Sequence, residues 1–302
     1  MDTHPDDDAL SEVVGFLLLL AVLVIAISMY QVYSVPAEGR ENEIQHMNLV
    51  KDHFTDYKIT LDSLWINDQA GTTVSTSFDL GSEGSYTKGG GFTMPVLRPV
   101  GSSGSISTVG RRETFTISSS SPSSTESLNY TMGAVEFRSG NNYWIDQTYY
   151  YQMGGVFLAQ EGGSTVRVSP PLSLSYDGNG VVSVDLTLIT LSGYQEISGT
   201  GPVRIDTYYL EAVPKKSHDL QFLTLSVDAK DEQAAEMWAR VFKNAAERGG
   251  LPEGRYNISH TENSASIEVN DNGNGNGNGG LRFTLTRAEY DLSIQNVATG
   301  MV

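Results

Sequence analysis

The sequence has no cysteine, so neither disulfides nor thiolate-held zinc can fasten any part of it. An exported domain without such staples has to rely on packing. Cations are scarce as well. The 19 Lys and Arg stand against 36 Asp and Glu, giving a formal net charge of −17, although only 18% of residues are charged. Acidity therefore comes from a shortage of basic residues as much as from abundant carboxylates. Such a surface repels phosphate backbones and anionic head groups, which excludes nucleic acid as a natural partner. Enzyme signatures are missing too, since no G-x-S-x-G, H-E-x-x-H or Walker sequence occurs. Ser85-Tyr86-Thr87-Lys88 matches S-x-x-K but lies between glycine-rich turns, with neither S-D-N nor K-T-G following it. The sequence supports no enzyme and calls for no cofactor.

Long apolar runs are equally scarce, and the single one organises the rest. Val13 to Tyr30 is eighteen residues without a charge. At 1.5 Å per helical residue it reaches about 27 Å, close to the hydrocarbon thickness of a bilayer. It reads as a helix that contacts the membrane. Met1 to Glu12 has no Lys or Arg, and no small-residue cleavage site follows the run, so it does not have the form of a secretory signal peptide. The helix is expected to stay in the mature protein.

Helical periodicity resumes after Pro36. Ile44, Met47, Val50, Phe54, Tyr57, Leu61 and Leu64 recur at steps of three or four, whereas Glu43, Asn48, Lys51, Asp52, Asp56 and Lys58 lie largely elsewhere. This predicts one combined element from about residue 10 to 64, with a kink or short break at Pro36. Beyond Trp65 the composition shifts to Ser, Thr, Gly, Tyr and Val in short alternating runs separated by turn formers, the pattern of an antiparallel sandwich. Tyr149-Tyr150-Tyr151 puts aromatics on both faces of one such strand. Gly81 to Gly91, Gly101 to Gly110 and Ser118 to Ser124 read as loops. From about residue 217 the pattern becomes β-α-β-β. Its helix is capped by Asp228 or Asp231, ends at Gly249-Gly250, and carries an apolar face that includes Met237, Trp238, Val241 and Phe242. The expected fold class is α+β: a long N-terminal membrane or spine helix, a mainly antiparallel, sandwich-like β head, and one additional C-terminal helix. The corresponding divisions are 1–9, 10–64, 65–213 and 214–302, the last being either a small domain or a helical cover on the sandwich.

No metal site is expected. Asp271 is the only acid in Asn270 to Gly280, too few for a calcium loop, so this stretch reads as a flexible hairpin connection. The five histidines, His4, His46, His53, His218 and His260, are dispersed. His46 and His53 share a helix face about 10 Å apart, too far for one ion, and read as solvated positions. His260 and Glu262 read as a surface loop. Asn129-Tyr130-Thr131 and Asn257-Ile258-Ser259 are N-x-[ST] acceptors, which gain meaning on an exported chain.

Asp8-Ala9-Leu10-Ser11-Glu12-Val13-Val14-Gly15-Phe16 resembles the start of archaeal type IV pilins, whose class III signal is cut ahead of the apolar helix. The similarity lies in fewer than ten residues, and the acidic leader departs from the commoner basic one. The resemblance implies a leader to Ala9, recognition at Asp8-Ala9 by a prepilin peptidase, and a mature N-terminus at Leu10. It also implies membrane residence through Val13 to Tyr30, self-assembly into a surface filament through the N-terminal helix, and an assembly contact for Glu12. A different class remains open on the residues alone: a single-pass anchored surface protein whose β head binds a ligand or glycan.

Overall fold

The computed structural model describes residues 5–82, 98–108, 113–217, 220–271 and 280–296, with side-chain exposure from Glu12 onward except at 216 and 217. Ser85 to Lys88, His4, His218 and most of the Asn270 to Gly280 stretch lie outside the described residues.

Helix α1 (Pro5–Met29) passes through a π-helical turn (Tyr30–Ser34) into α2 (Val35–Ile66). Of the kink or short break expected at Pro36, the break does not occur. Backbone angles are helical at Met29 (φ −61°, ψ −42°) and at Val35 (φ −61°, ψ −47°), and the Val35 N–H reaches back five residues to the Tyr30 carbonyl. Proline has no N–H, and its ring crowds the carbonyl four residues earlier, here that of Val32. Widening the preceding turn relieves that crowding, so the helix absorbs Pro36 instead of ending.

Among the described residues three sheets form the head. In spatial order the first is β1 (Thr73–Asp79), β12 (Pro202–Ser217), β16 (Gly280–Asn296), β10 (Val181–Ser192) and β9 (Leu172–Tyr176). The second is β11 (Glu196–Gly199), β2 (Ser103–Ser107), β5 (Ala134–Gly140), β6 (Gln147–Gln152), β7 (Gly155–Gln160) and β8 (Gly163–Val168). The third is β14 (Tyr256–Thr261), β15 (Ser264–Asn270), β13 (Phe222–Asp228), β3 (Thr114–Ser120) and β4 (Thr125–Thr131). β10 and β16 run parallel, and the other paired strands are antiparallel.

Two cores result, and the long strands serve both. Along β16, Leu281, Phe283 and Leu285 enter one core, while Ala288, Tyr290, Leu292 and Ile294 enter the other. Residues of opposite parity point to opposite faces of a strand, so β16 buries one face in its first half and the other in its second. β10 does the same, with Val182, Val184, Leu186 and Leu188 on one side and Ile189 and Leu191 on the other. Tyr150 joins the first core and Tyr149 and Tyr151 the second, so all three tyrosines pack.

The second core is closed by α2 through Met47, Val50, Phe54, Tyr57, Leu61 and Leu64, at the expected spacing, with Ile44 half-buried. The first is closed by α3 (Glu232–Arg248), whose Trp238 packs between Phe115 and Phe157. Asp231 caps α3 by accepting the Ala234 N–H at 2.9 Å. At its end Gly249 leaves no room for a side chain, because a Cβ would sit 2.2 Å from the Leu174 carbonyl oxygen.

Residue 213 is not a boundary in the pairing. It falls inside β12, and β13 and β16 from the C-terminal part pair with β3, β10 and β12 from the preceding part.

Two of the expected loops contain strand. Gly101 to Gly110 includes β2, whose Ile106 is fully buried and whose Gly104 lets the Leu80 carbonyl and the Phe137 ring approach closer than a Cβ would allow. Ser118 to Ser124 begins as β3 and becomes a tight turn closed by a Ser121 N–H to Ser124 carbonyl bond of 2.8 Å. The serine-rich end of β3 is held by its ladders to β13 and β4 and by buried Phe115 and Ile117, and hydroxyl pairs such as Ser118 with Ser127 add to this.

Candidate membrane and assembly helix

From Val13 to Tyr33 the large apolar side chains of the N-terminal helix are exposed, and none of the described residues of the head covers them. Phe16 is 68% exposed and Leu20, in the middle of the run, 47%. A helix that is apolar all round in water has no stable face, so it belongs in lipid or among other apolar helices. Among the described residues it is the one helix long and apolar enough to cross a membrane, and it is compatible with membrane anchoring. Tyr30 and Tyr33 end the run with amphipathic rings, which suit a membrane–water boundary. Burial begins at Val35.

Where the helix meets the head it is clamped. The Glu43 carboxylate is 1% exposed and accepts three consecutive backbone N–H groups: Asn142 through Oε1 at 2.6 Å, and Tyr143 and Trp144 through Oε2 at 2.9 and 2.6 Å. Three converging N–H dipoles compensate a buried carboxylate well. Beside it, Gly39 is pressed by the Tyr143 ring, where a Cβ would lie 2.4 Å from ring carbon Cδ2. The Arg40 guanidinium stacks 4.4 Å from the centre of the Trp144 ring. The Val100 N–H donates to the Tyr143 hydroxyl at 3.1 Å, tying the same loop to a further segment. Glu43 is therefore not on the solvated side of α2, as its charge implied. It precedes Met47 by four residues and Val50 by seven, which puts it on the apolar stripe. That spacing was the available signal.

Further along α2, His46 is also buried. Its Nε2 donates to the Asp79 carbonyl at 2.9 Å, so the expectation of a solvated histidine fails. Removal from water lowers its pKa below 6.5, opposed in part by the bond to Asp79. His53 sits edge-on against Phe78, with ring centres 5.8 Å apart. Lys58, also expected on the solvated side, is buried and paired with Asp62 one turn on. Tyr57 shares a 2.9 Å bond with Thr207, and the Tyr290 hydroxyl donates to the Leu61 carbonyl at 2.8 Å. Burial drives both phenol pKa values upward, so they stay neutral hydrogen-bonding groups.

The remaining expected positions are spread apart. Asp8, Ala9 and Leu10 lie in the backbone of α1, about one turn before the apolar run, and Glu12 is exposed at its entrance. His260 is exposed on β14, next to the turn that holds Glu262. Asn129 and Asn257 are exposed on β4 and β14, the two edge strands of the third sheet. Among the described residues no group of His, Cys, Asp and Glu is placed to hold a metal ion. No protein-family model, curated protein or solved structure matches the chain significantly.

Proposed function

We propose that this chain is a structural, non-enzymatic subunit of an archaeal type IV pilus-like surface filament. The observation that carries the reading is the continuous helix from the apolar run into α2, bare over Val13 to Tyr33 and clamped to a β head from Gly39 onward. An apolar helix of this kind is stable in a bilayer and is equally stable packed against copies of itself. A subunit can therefore wait in the membrane and then move into a filament core while its head stays outside. The pilin-like opening Asp8 to Phe16 supports the same reading: prepilin peptidase cuts after Ala9, and the mature chain begins at Leu10.

The test is mass spectrometry of the membrane-extracted protein together with negative-stain imaging of material sheared from cells. A chain beginning at Leu10, present with its apolar helix in sheared filaments, supports the proposal. A chain that retains Met1 or Asp2 and is absent from shed material assigns it instead to a single-pass anchored surface protein with a ligand- or glycan-binding head.

A further inference from the structure

We propose that the face of the third sheet turned away from the α3 core is the glycan-bearing face of the head, with Asn129 and Asn257 as two N-linked attachment sites upon it. The inference rests on export of the head, which the filament and anchor readings share, and not on assembly.

The geometry begins with alternation. The inner face of this sheet carries Phe115, Leu225 and Ile267 into the core beneath α3. Residues of the other parity must face away from that core. One row across the outer face runs Ser259, Ser266, Ser226, Thr116 and Asn129, in register through all five strands. The adjoining row runs Asn257, Glu268, Thr224, Ser118 and Ser127. Both acceptor asparagines thus share one face, at its opposite edges. Four strand spacings of about 4.8 Å place them roughly 19 Å apart across the sheet.

Each acceptor also has its second element in place. Thr131 and Ser259 lie two residues after their asparagines along a strand, so amide and hydroxyl project from the same side, and all four residues are exposed. Among the described residues both strands are edges, leaving one side open to a transferring enzyme. Between the asparagines the two rows hold hydroxyls and the single charge of Glu268, without a Lys or Arg, and several hydroxyls already pair across strands, as Ser259 does with Ser266 at 2.9 Å. Phe222, 47% exposed on the same face, offers an apolar platform for sugar C–H groups.

The donor class is an oligosaccharide joined through its anomeric carbon to a lipid phosphate. The asparagine amide nitrogen attacks that carbon. A C–N bond forms and the C–O bond to phosphate breaks. The lipid phosphate leaves with the bonding pair, and the amide loses one proton to a base of the transferring enzyme.

The experiment is the intact mass of native, membrane-extracted protein, with protease shaving of whole cells as a separate report on export. Two glycan increments are expected, one lost in Asn129→Gln, the other in Asn257→Gln, and each lost equally in Thr131→Ala and Ser259→Ala, which leave the asparagines in place. A head shaved from cells but unmodified at both asparagines overturns the inference while export stands. A head protected in intact cells overturns export and this inference together. A glycan at only one asparagine overturns the paired face.

Discussion

Glu43 on α2 and Tyr143 in the β5–β6 loop, 100 residues apart in sequence, are joined by a bond of 2.9 Å from the Tyr143 N–H to the Glu43 carboxylate. Because the same carboxylate takes the N–H groups on either side, it fixes the direction in which the bare helix leaves the head. In Glu43→Gln one oxygen becomes an NH2 that cannot accept, so at least one buried N–H loses its partner. The expected loss is roughly 1–3 kcal/mol, with more for Glu43→Ala, which strips all three N–H groups. Denaturant unfolding of the detergent-solubilised protein reads it, and unchanged stability in both variants would show that water replaces the carboxylate.

Gly39 sets two physical effects against each other. On an exposed helix Gly→Ala gains about 1 kcal/mol in propensity. Here the new Cβ would enter the Tyr143 ring at 2.4 Å, and that ring is held by its own hydroxyl and backbone bonds. Gly39→Ala should therefore destabilise, and the fluorescence of the neighbouring Trp144 should shift as its loop moves off Arg40. A more stable variant with an unaltered spectrum would mean the loop yields at no cost.

His46 gives the α2–head contact a pH dependence. Desolvation by burial lowers its folded-state pKa below the ordinary 6.5, so the unfolded chain takes up the proton first. Its contribution to stability is complete above pH 6.5 and falls as pH drops from there through the lowered folded value. His46→Gln keeps a donor for the Asp79 carbonyl without a titrating ring, so it should flatten stability against pH in this window. An identical slope in both proteins, measured by thermal unfolding between pH 7 and pH 5, would remove His46 as the source.

How much of this was legible in the sequence follows from the range of the forces involved. The spine stripe from Met47 to Leu64 and the Trp238 face of α3 were readable, because one helix turn brings those side chains together without help from the rest of the chain. β2 was not, since its single large apolar residue, Ile106, leaves no alternation to detect, and its order comes from partners in β5 and β11. The pairing of β16 with both β10 and β12 is non-local, so no window of sequence contains it. Glu43 and Lys58 depart from the solvated side of α2 for a related reason. Charge argues for solvent until a partner is known, and Glu43 finds its partners in a loop far along the chain, whereas Lys58 pairs with Asp62 on its own helix.

Glu12 stands exposed at the entrance of the apolar run, where a carboxylate drawn toward lipid is costly. After cleavage at Ala9 it would be the third residue of the mature chain, beside the new α-amino group of Leu10. Two residues along a helix turn the direction by about 200°, so Glu12 and the amine of its own chain point to nearly opposite sides. A contact with the amine of a neighbouring subunit is geometrically easier than one within the chain. In the resembling family a near-terminal glutamate has this role, at the fifth mature position in bacterial relatives. Glu12→Gln preserves size and helix propensity while removing the charge. Processing and membrane insertion should persist, and the yield of subunit in sheared filaments should fall at least several-fold, measured against total membrane protein. Filament yield equal to that of the unaltered chain would mean that Glu12 stays a hydrated head-group charge and takes no part in assembly.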